Sequence, residues 1–152
     1  MDYLPYIDRL NARVPSVDFI AIYDPSSPSS AFRKLEQEGF SDQRGFYAHG
    51  MDVVPSRKDP NILFVYLVNH RPPLSTGRGK AGANSVIEIF KTTVGSNTLI
   101  HLKTVDNPNV IVTPNDVSGS PDGDSFYFTN DHGIKFGEVN PRTCISSCIE
   151  QC

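Results

Sequence analysis

The side chains of this 152-residue chain that could do chemistry near neutral pH are its histidines and a few of its asparagines and aspartates. The histidines are His49, His70, His101 and His132. His49 is followed by Gly50, a residue that lets backbone approach something closely. His70 follows Asn69 at the end of an apolar run. Histidines converging from separate strand ends can serve as a general base pair, while Asn and Asp oxygens hold a hard cation. His101 lies in mid-strand among apolar neighbours and reads as a hydrogen-bonded packing residue. Asn115 and Asp116 are adjacent, so on a strand they project to opposite faces and could serve two different calcium ions. After Pro114 the same two residues also fit plain turn chemistry.

Other motifs carry less. Gly77, Gly79 and Gly82 match the dinucleotide fingerprint, which works only where a strand leads into a helix that holds the pyrophosphate. Here a Pro-Pro loop precedes it and a strand follows, so a dinucleotide cofactor is excluded. No Gly-x-Ser-x-Gly elbow is present. Asp122-Gly123-Asp124 reads as a hairpin tip, because the later Glu of an EF-hand loop is missing. Cys144, Cys148 and Cys152 are spaced by four, but three thiols make no closed zinc site, and the segment reads as a frayed tail.

Strands must position these residues. The best helical candidate, 31–37, is only about two turns long and stops before Gly39. Strand signals recur at 17–23, 62–68, 85–91, 98–105 and 125–129. The run ILFVYLV at 62–68 predicts a strand buried on both faces, while SVIEIFK and TLIHLKTV alternate and predict one wetter face each. The loop 71–84 is rich in Pro, Gly and basic residues and is expected on the surface. Two units repeat the order of short polar-headed strand, turn, aromatic strand and Asn/Asp-His; Asp52 and Asp116 are 64 residues apart, His70 and His132 are 62 apart. With two strands between them, each unit holds four, the composition of a propeller blade. The expected fold is all-β, a β-propeller.

Charge narrows the partners. Lys and Arg total 14 against 17 Asp and Glu, a net charge of −3, which argues against nucleic acid. No apolar run is long enough for a transmembrane segment. The opening residues MDYLPY lack a basic region and an apolar core, so they do not read as a signal peptide. Composition sets no oligomeric state.

In order along the chain, Ala48-His49-Gly50-Met51-Asp52-Val53, Leu67-Val68-Asn69-His70, SVIEIFK at 85–91, Leu99-Ile100-His101-Leu102-Lys103-Thr104, Pro114-Asn115-Asp116-Val117 and FYFTNDH at 126–132 resemble the paraoxonase/arylesterase family over residues 17–133. The resemblance implies a six-bladed calcium-dependent propeller that hydrolyses aryl esters and lactones, with a small-molecule ester or lactone as substrate. By position, His49 resembles the family's catalytic histidine and His70 its partner. Asn115 resembles a ligand of the catalytic calcium. Asp116 resembles a ligand of a second, structural calcium, which the Met51 carbonyl would also meet. Calcium would polarise the carbonyl and the histidine pair would activate water. Asp52 matches no metal ligand of the family, and Asp131 and His132 would support the site. Members of the family are often extracellular or membrane-associated.

The resemblance also has edges. The paired acidic residues that the family places in an N-terminal strand have no match upstream of Val17, and later Asn and Asp ligands would fall beyond residue 133. Six blades need on the order of 350–380 residues. The expected organisation is a partial propeller over 1–137, with about two to three blades, and a non-matching tail over 138–152. The alternative to a hydrolase is an incomplete propeller that is a non-catalytic binding module or a truncated, inactive gene product.

Overall fold

The computed structural model describes residues 18–26, 32–73 and 82–131, together with the backbone of a strand at 147–151. The elements are strands β1 (Ala21–Tyr23), β2 (Phe32–Lys34), β3 (Glu36–Glu38), β4 (Ala48–Pro55), β5 (Ile62–Arg71), β6 (Asn84–Thr93), β7 (Thr98–Val105), β8 (Pro114–Gly119), β9 (Ser125–Asn130) and β10 (Ser147–Gln151). No helix occurs among the described residues, and therefore none that could cross a membrane.

In the 31–37 segment, the described residues 32–37 are extended instead of helical. Two turns cannot hold themselves together, whereas pairing β2 with β1 and β3 with β7 places the intervening Leu35 in the core. Strands β4, β5, β6 and β7 form an antiparallel meander with β3 parallel on its outer edge. That meander is the four-stranded unit expected of a blade. Strands β8 and β9 repeat its first half, and β10, from the segment expected to fray, pairs with β9.

Alternation along β5 explains its continuous apolar run. Val65 and Leu67 enter one core with Leu35, Phe46, Phe90 and Leu99, while Tyr66 and Val68 enter another with Ile87, Ile89, Val117, Phe126 and Phe128. The blade is thus sandwiched between its neighbours. Strand β6 departs from its expected wetter face: Ser85 through Phe90 are all buried. What read as a polar side is the fully buried Glu88, satisfied internally. Strand β7 does keep its wetter face, with Ile100, Leu102 and Lys103 exposed.

The two units superpose through their hydrogen-bond register. Each inner strand carries a bulge, between Ala48 and Met51 in β4 and between Pro114 and Val117 in β8. The bulges make His49 the counterpart of Asn115, 66 positions on, and Gly50 the counterpart of Asp116. Asp52 is therefore level with Ser118, not with Asp116, and His70 with Asp131, not with His132, which lies outside the described residues. The repeat read from the sequence is real, but matching its acidic residues placed it two positions out on the inner strand. The same register makes Tyr127 the counterpart of Tyr66. Tyr66 is fully buried against the next unit, and Tyr127 is 52% exposed.

Polar clusters close the ends of the blade. Arg71 bonds Asp42, Asn84 and Asp106, and Arg44 shares Asp42 and Asn84 with it. Burial raises the Asp42 carboxyl, but hydrogen bonds from Arg44, its charge and the Arg71 bond outweigh that and hold the group at about 2. At the other end, the tip between β8 and β9 is the hairpin expected, with Asp122 accepting from the Asp124 N–H and Gly123 at φ 81°.

Candidate functional site

Strands β4 and β8 lie side by side, so their bulges meet. A bulge places two residues against one on the partner strand and breaks the strict alternation of side chains. His49 Nε2 lies 2.7 Å from Asn115 Oδ1. An amide oxygen only accepts, so the imidazole donates through Nε2–H and a neutral ring keeps its lone pair at Nδ1. The His70 ring stands beside it, with centroids 5.1 Å apart and planes tilted by 45°. His70 Nδ1 is 2.8 Å from the hydroxyl of buried Ser85, one strand further out. His49, His70 and Asn115 are thus brought together from β4, β5 and β8.

Gly50 makes the junction possible. A Cβ there would stand 2.2 Å from the Asn115 carbonyl oxygen, 2.6 Å from the Asp116 Cα and 2.8 Å from Asp116 Oδ1. The close backbone approach expected beside His49 is therefore an approach to the Asn115-Asp116 bulge. Asp116 is exposed, and its Oδ1 accepts from the Val117 N–H. The Met51 side chain is exposed on β4. Asp52 clamps the two inner strands, its Oδ2 accepting from the Gly119 N–H at 2.9 Å.

In kind, these donors suit a hard cation: an amide oxygen on Asn115, a carboxylate on Asp116 and main-chain carbonyls such as that of Met51. In number, they would supply only part of a calcium shell, which takes six to eight oxygens. No cluster of three or more His, Cys, Asp or Glu side chains gathers among the described residues.

Burial, and after it the neighbouring His49, pushes the His70 imidazole from 6.5 down to about 4. Between these values the unfolded chain binds a proton that the folded chain refuses. Stability is therefore expected to fall as the pH drops from 6.5 to 4, by up to about 1.4 kcal/mol per pH unit for this group. Below that window, protonation of Asp42 continues the loss toward pH 2. Urea denaturation at pH 7.5, 5.5 and 4.5 checks this against His70→Asn, in which the slope between 6.5 and 4 should shrink. An unchanged slope would assign the pH dependence elsewhere.

Sequence reasoning passed over Ser85, Asn69 and Glu88. Glu88 is fully buried and accepts from Asn69 Nδ2, His101 Nε2 and the Thr104 hydroxyl. A lone acid inside the run SVIEIFK was its one signal. His101 is the hydrogen-bonded packing residue expected, with the Phe40 and Phe90 rings edge-on against it. Asn69 stands out in the sequence only as the Asn of the repeated Asn/Asp-His element.

Comparison with known proteins identifies the family. The Arylesterase family model matches residues 4–139. Serum paraoxonase/arylesterase 2 of Gallus gallus is 32% identical over 118 residues, which cover 78% of this chain and 29% of that protein. The chain therefore spans less than a third of that relative's length. With a four-stranded blade, bulged inner strands and a family match over most of its length, the chain belongs to the arylesterase family, as a partial β-propeller.

Proposed function

We propose that this chain forms one wall of the active site of a calcium-dependent hydrolase of aryl esters and lactones, with His49 as the base. One observation carries the proposal: His49 and Asn115 meet at 2.7 Å where the bulges of two neighbouring inner strands abut, beside the His70 ring. With Nε2–H engaged by Asn115, the Nδ1 lone pair of His49 is the atom that takes a proton from water. His70 stays neutral at the same pH because it is buried, so it adds no second positive charge when His49 becomes protonated. Ser85 holds the His70 ring in place. Asn115 would contribute an oxygen to the catalytic calcium, and Asp116 with the Met51 carbonyl would contribute to a structural one. A bound calcium supplies a Lewis acid for the ester carbonyl and the developing oxyanion.

The test is hydrolysis of phenyl acetate and of a γ-lactone at millimolar calcium, with and without a chelator. Calcium-dependent turnover is expected, reduced about 10²- to 10⁴-fold in His49→Gln, the range attached to a general base. Turnover unchanged in that variant would remove His49 from the role. The partial oxygen shell favours a second reading for this chain alone, a non-catalytic β-module. A calorimetric titration showing no calcium uptake, alongside no hydrolysis, would decide for it.

A further inference from the structure

Two buried asparagines occupy equivalent places behind the site, and each does the same thing. Asn69, the strand partner of Ala48, accepts the Tyr47 N–H on Oδ1 at 2.9 Å and donates from Nδ2 to Glu88 Oε1 at 3.0 Å. Asn130, the strand partner of Pro114, accepts the Val112 and Thr113 N–H groups on Oδ1 at 3.0 and 2.9 Å and donates from Nδ2 to the Val110 carbonyl at 2.9 Å. Tyr47 stands two residues before His49, and Thr113 two residues before Asn115. One main-chain bond completes each copy: His70 N–H to the Tyr47 carbonyl, and Asp131 N–H to the Thr113 carbonyl, both 3.0 Å.

A bulge needs such a device. Where two residues oppose one, the regular ladder is interrupted and cannot set the angle at which the extra residue leaves the strand. A side-chain amide fills the gap because it accepts from one main-chain segment while donating to a second group. We propose that Asn69 and Asn130 are a matched pair of positioning residues, which aim His49 and Asn115 at each other by pinning the chain just ahead of each bulge. The reach of Asn69 extends to the outer strand: Glu88 is itself held by His101 and Thr104 on β7. An aspartate could not replace Asn69, because its second oxygen would face the Glu88 carboxylate. Calling His49 a base rests on the proposed function; the aiming of His49 by Asn69 does not.

The chemistry of the amides makes the test specific. In 15N-edited NMR of the intact chain, His49 should show a single Nε2–H tautomer. Asn69→Ala and Asn130→Ala should each convert it to a mixture, with kcat for phenyl acetate lower by about 10- to 100-fold, as misplacement by an ångström does, and KM little changed. Asn69→Asp should behave like Asn69→Ala. The double variant Asn69→Asp/Glu88→Gln, which exchanges the amide and the carboxylate across one hydrogen bond, should restore the single tautomer. Folded alanine variants that keep the wild-type His49 signal would overturn the proposal, as would a double variant no better than Asn69→Asp. If Asn69→Ala does not fold, the comparison of Asn69→Asp with the double variant decides alone. Should the wild-type chain hydrolyse no ester, the functional reading falls while the tautomer experiment still judges the positioning.

Discussion

Gly50→Ala is expected to lower the stability of the chain by about 3 kcal/mol and to separate His49 from Asn115. The added methyl would sit 2.2 Å from a main-chain oxygen and 2.6 Å from a Cα, far inside van der Waals contact. A clash with the tip of a flexible side chain is relieved by a rotamer change; a clash with backbone moves a strand. That strand is β8, tied to β4 by the Asp52–Gly119 bond and anchored behind by Val117, Phe126 and Phe128 in the core. The cost therefore falls at the upper end of the overpacking range. Urea denaturation reads the stability, and loss of the His49 Nε2–H signal reads the separation. A variant with the wild-type midpoint would show that β4 and β8 do not abut here.

Glu88→Ala is expected to cost about 3–5 kcal/mol, because it empties a fully buried site and leaves donors unsatisfied there, each at about 1–3 kcal/mol. Three donors converge on that carboxylate, and the alanine leaves the fully buried Asn69 Nδ2 without its acceptor and takes the same acceptor from the partly buried His101 ring and Thr104 hydroxyl. Glu88→Gln keeps an oxygen but turns one acceptor into a donor, so its cost should be intermediate, about 1–3 kcal/mol. Thermal and urea unfolding of the two variants order them. If Glu88→Ala were as stable as the parent, the network would be dispensable to the fold. The effect should also reach the site, because Asn69 loses its anchor on the side away from Tyr47.

Much of this was legible in the residues. The β-branched and aromatic runs marked β5, β6, β7 and β9 because such side chains suit a pleated, packed surface, and Gly and Pro clusters marked their ends. The both-faces burial of β5 followed from seven apolar residues in a row, which no one-sided sheet accommodates. The 85–91 segment misled because Glu88 looks like a solvent-facing residue. A carboxylate is buried only when donors are waiting, and those donors, Asn69, His101 and Thr104, come from other strands. The 31–37 segment misled for a related reason: its helical preference is worth less than the pairing and Leu35 burial that tertiary structure offers.

The site divides along the same line. Residue types alone singled out His49, His70, Asn115 and Asp116, because few side chains ionise near neutrality or bind hard cations, and sequence order tied them to a family. Local chemistry and alternation likewise determined an all-β chain with a repeating unit. Register was beyond their reach. One extra residue in each inner strand shifts which side chains stand level, so matching Asp52 to Asp116 looked right, while the bulges match His49 to Asn115. A bulge is an extra residue relative to the partner strand, so it shows only once the two strands are paired. Tertiary structure alone therefore decided that His49 meets Asn115, that Gly50 is the point of contact, and that Asn69 and Asn130 hold the two bulges from behind.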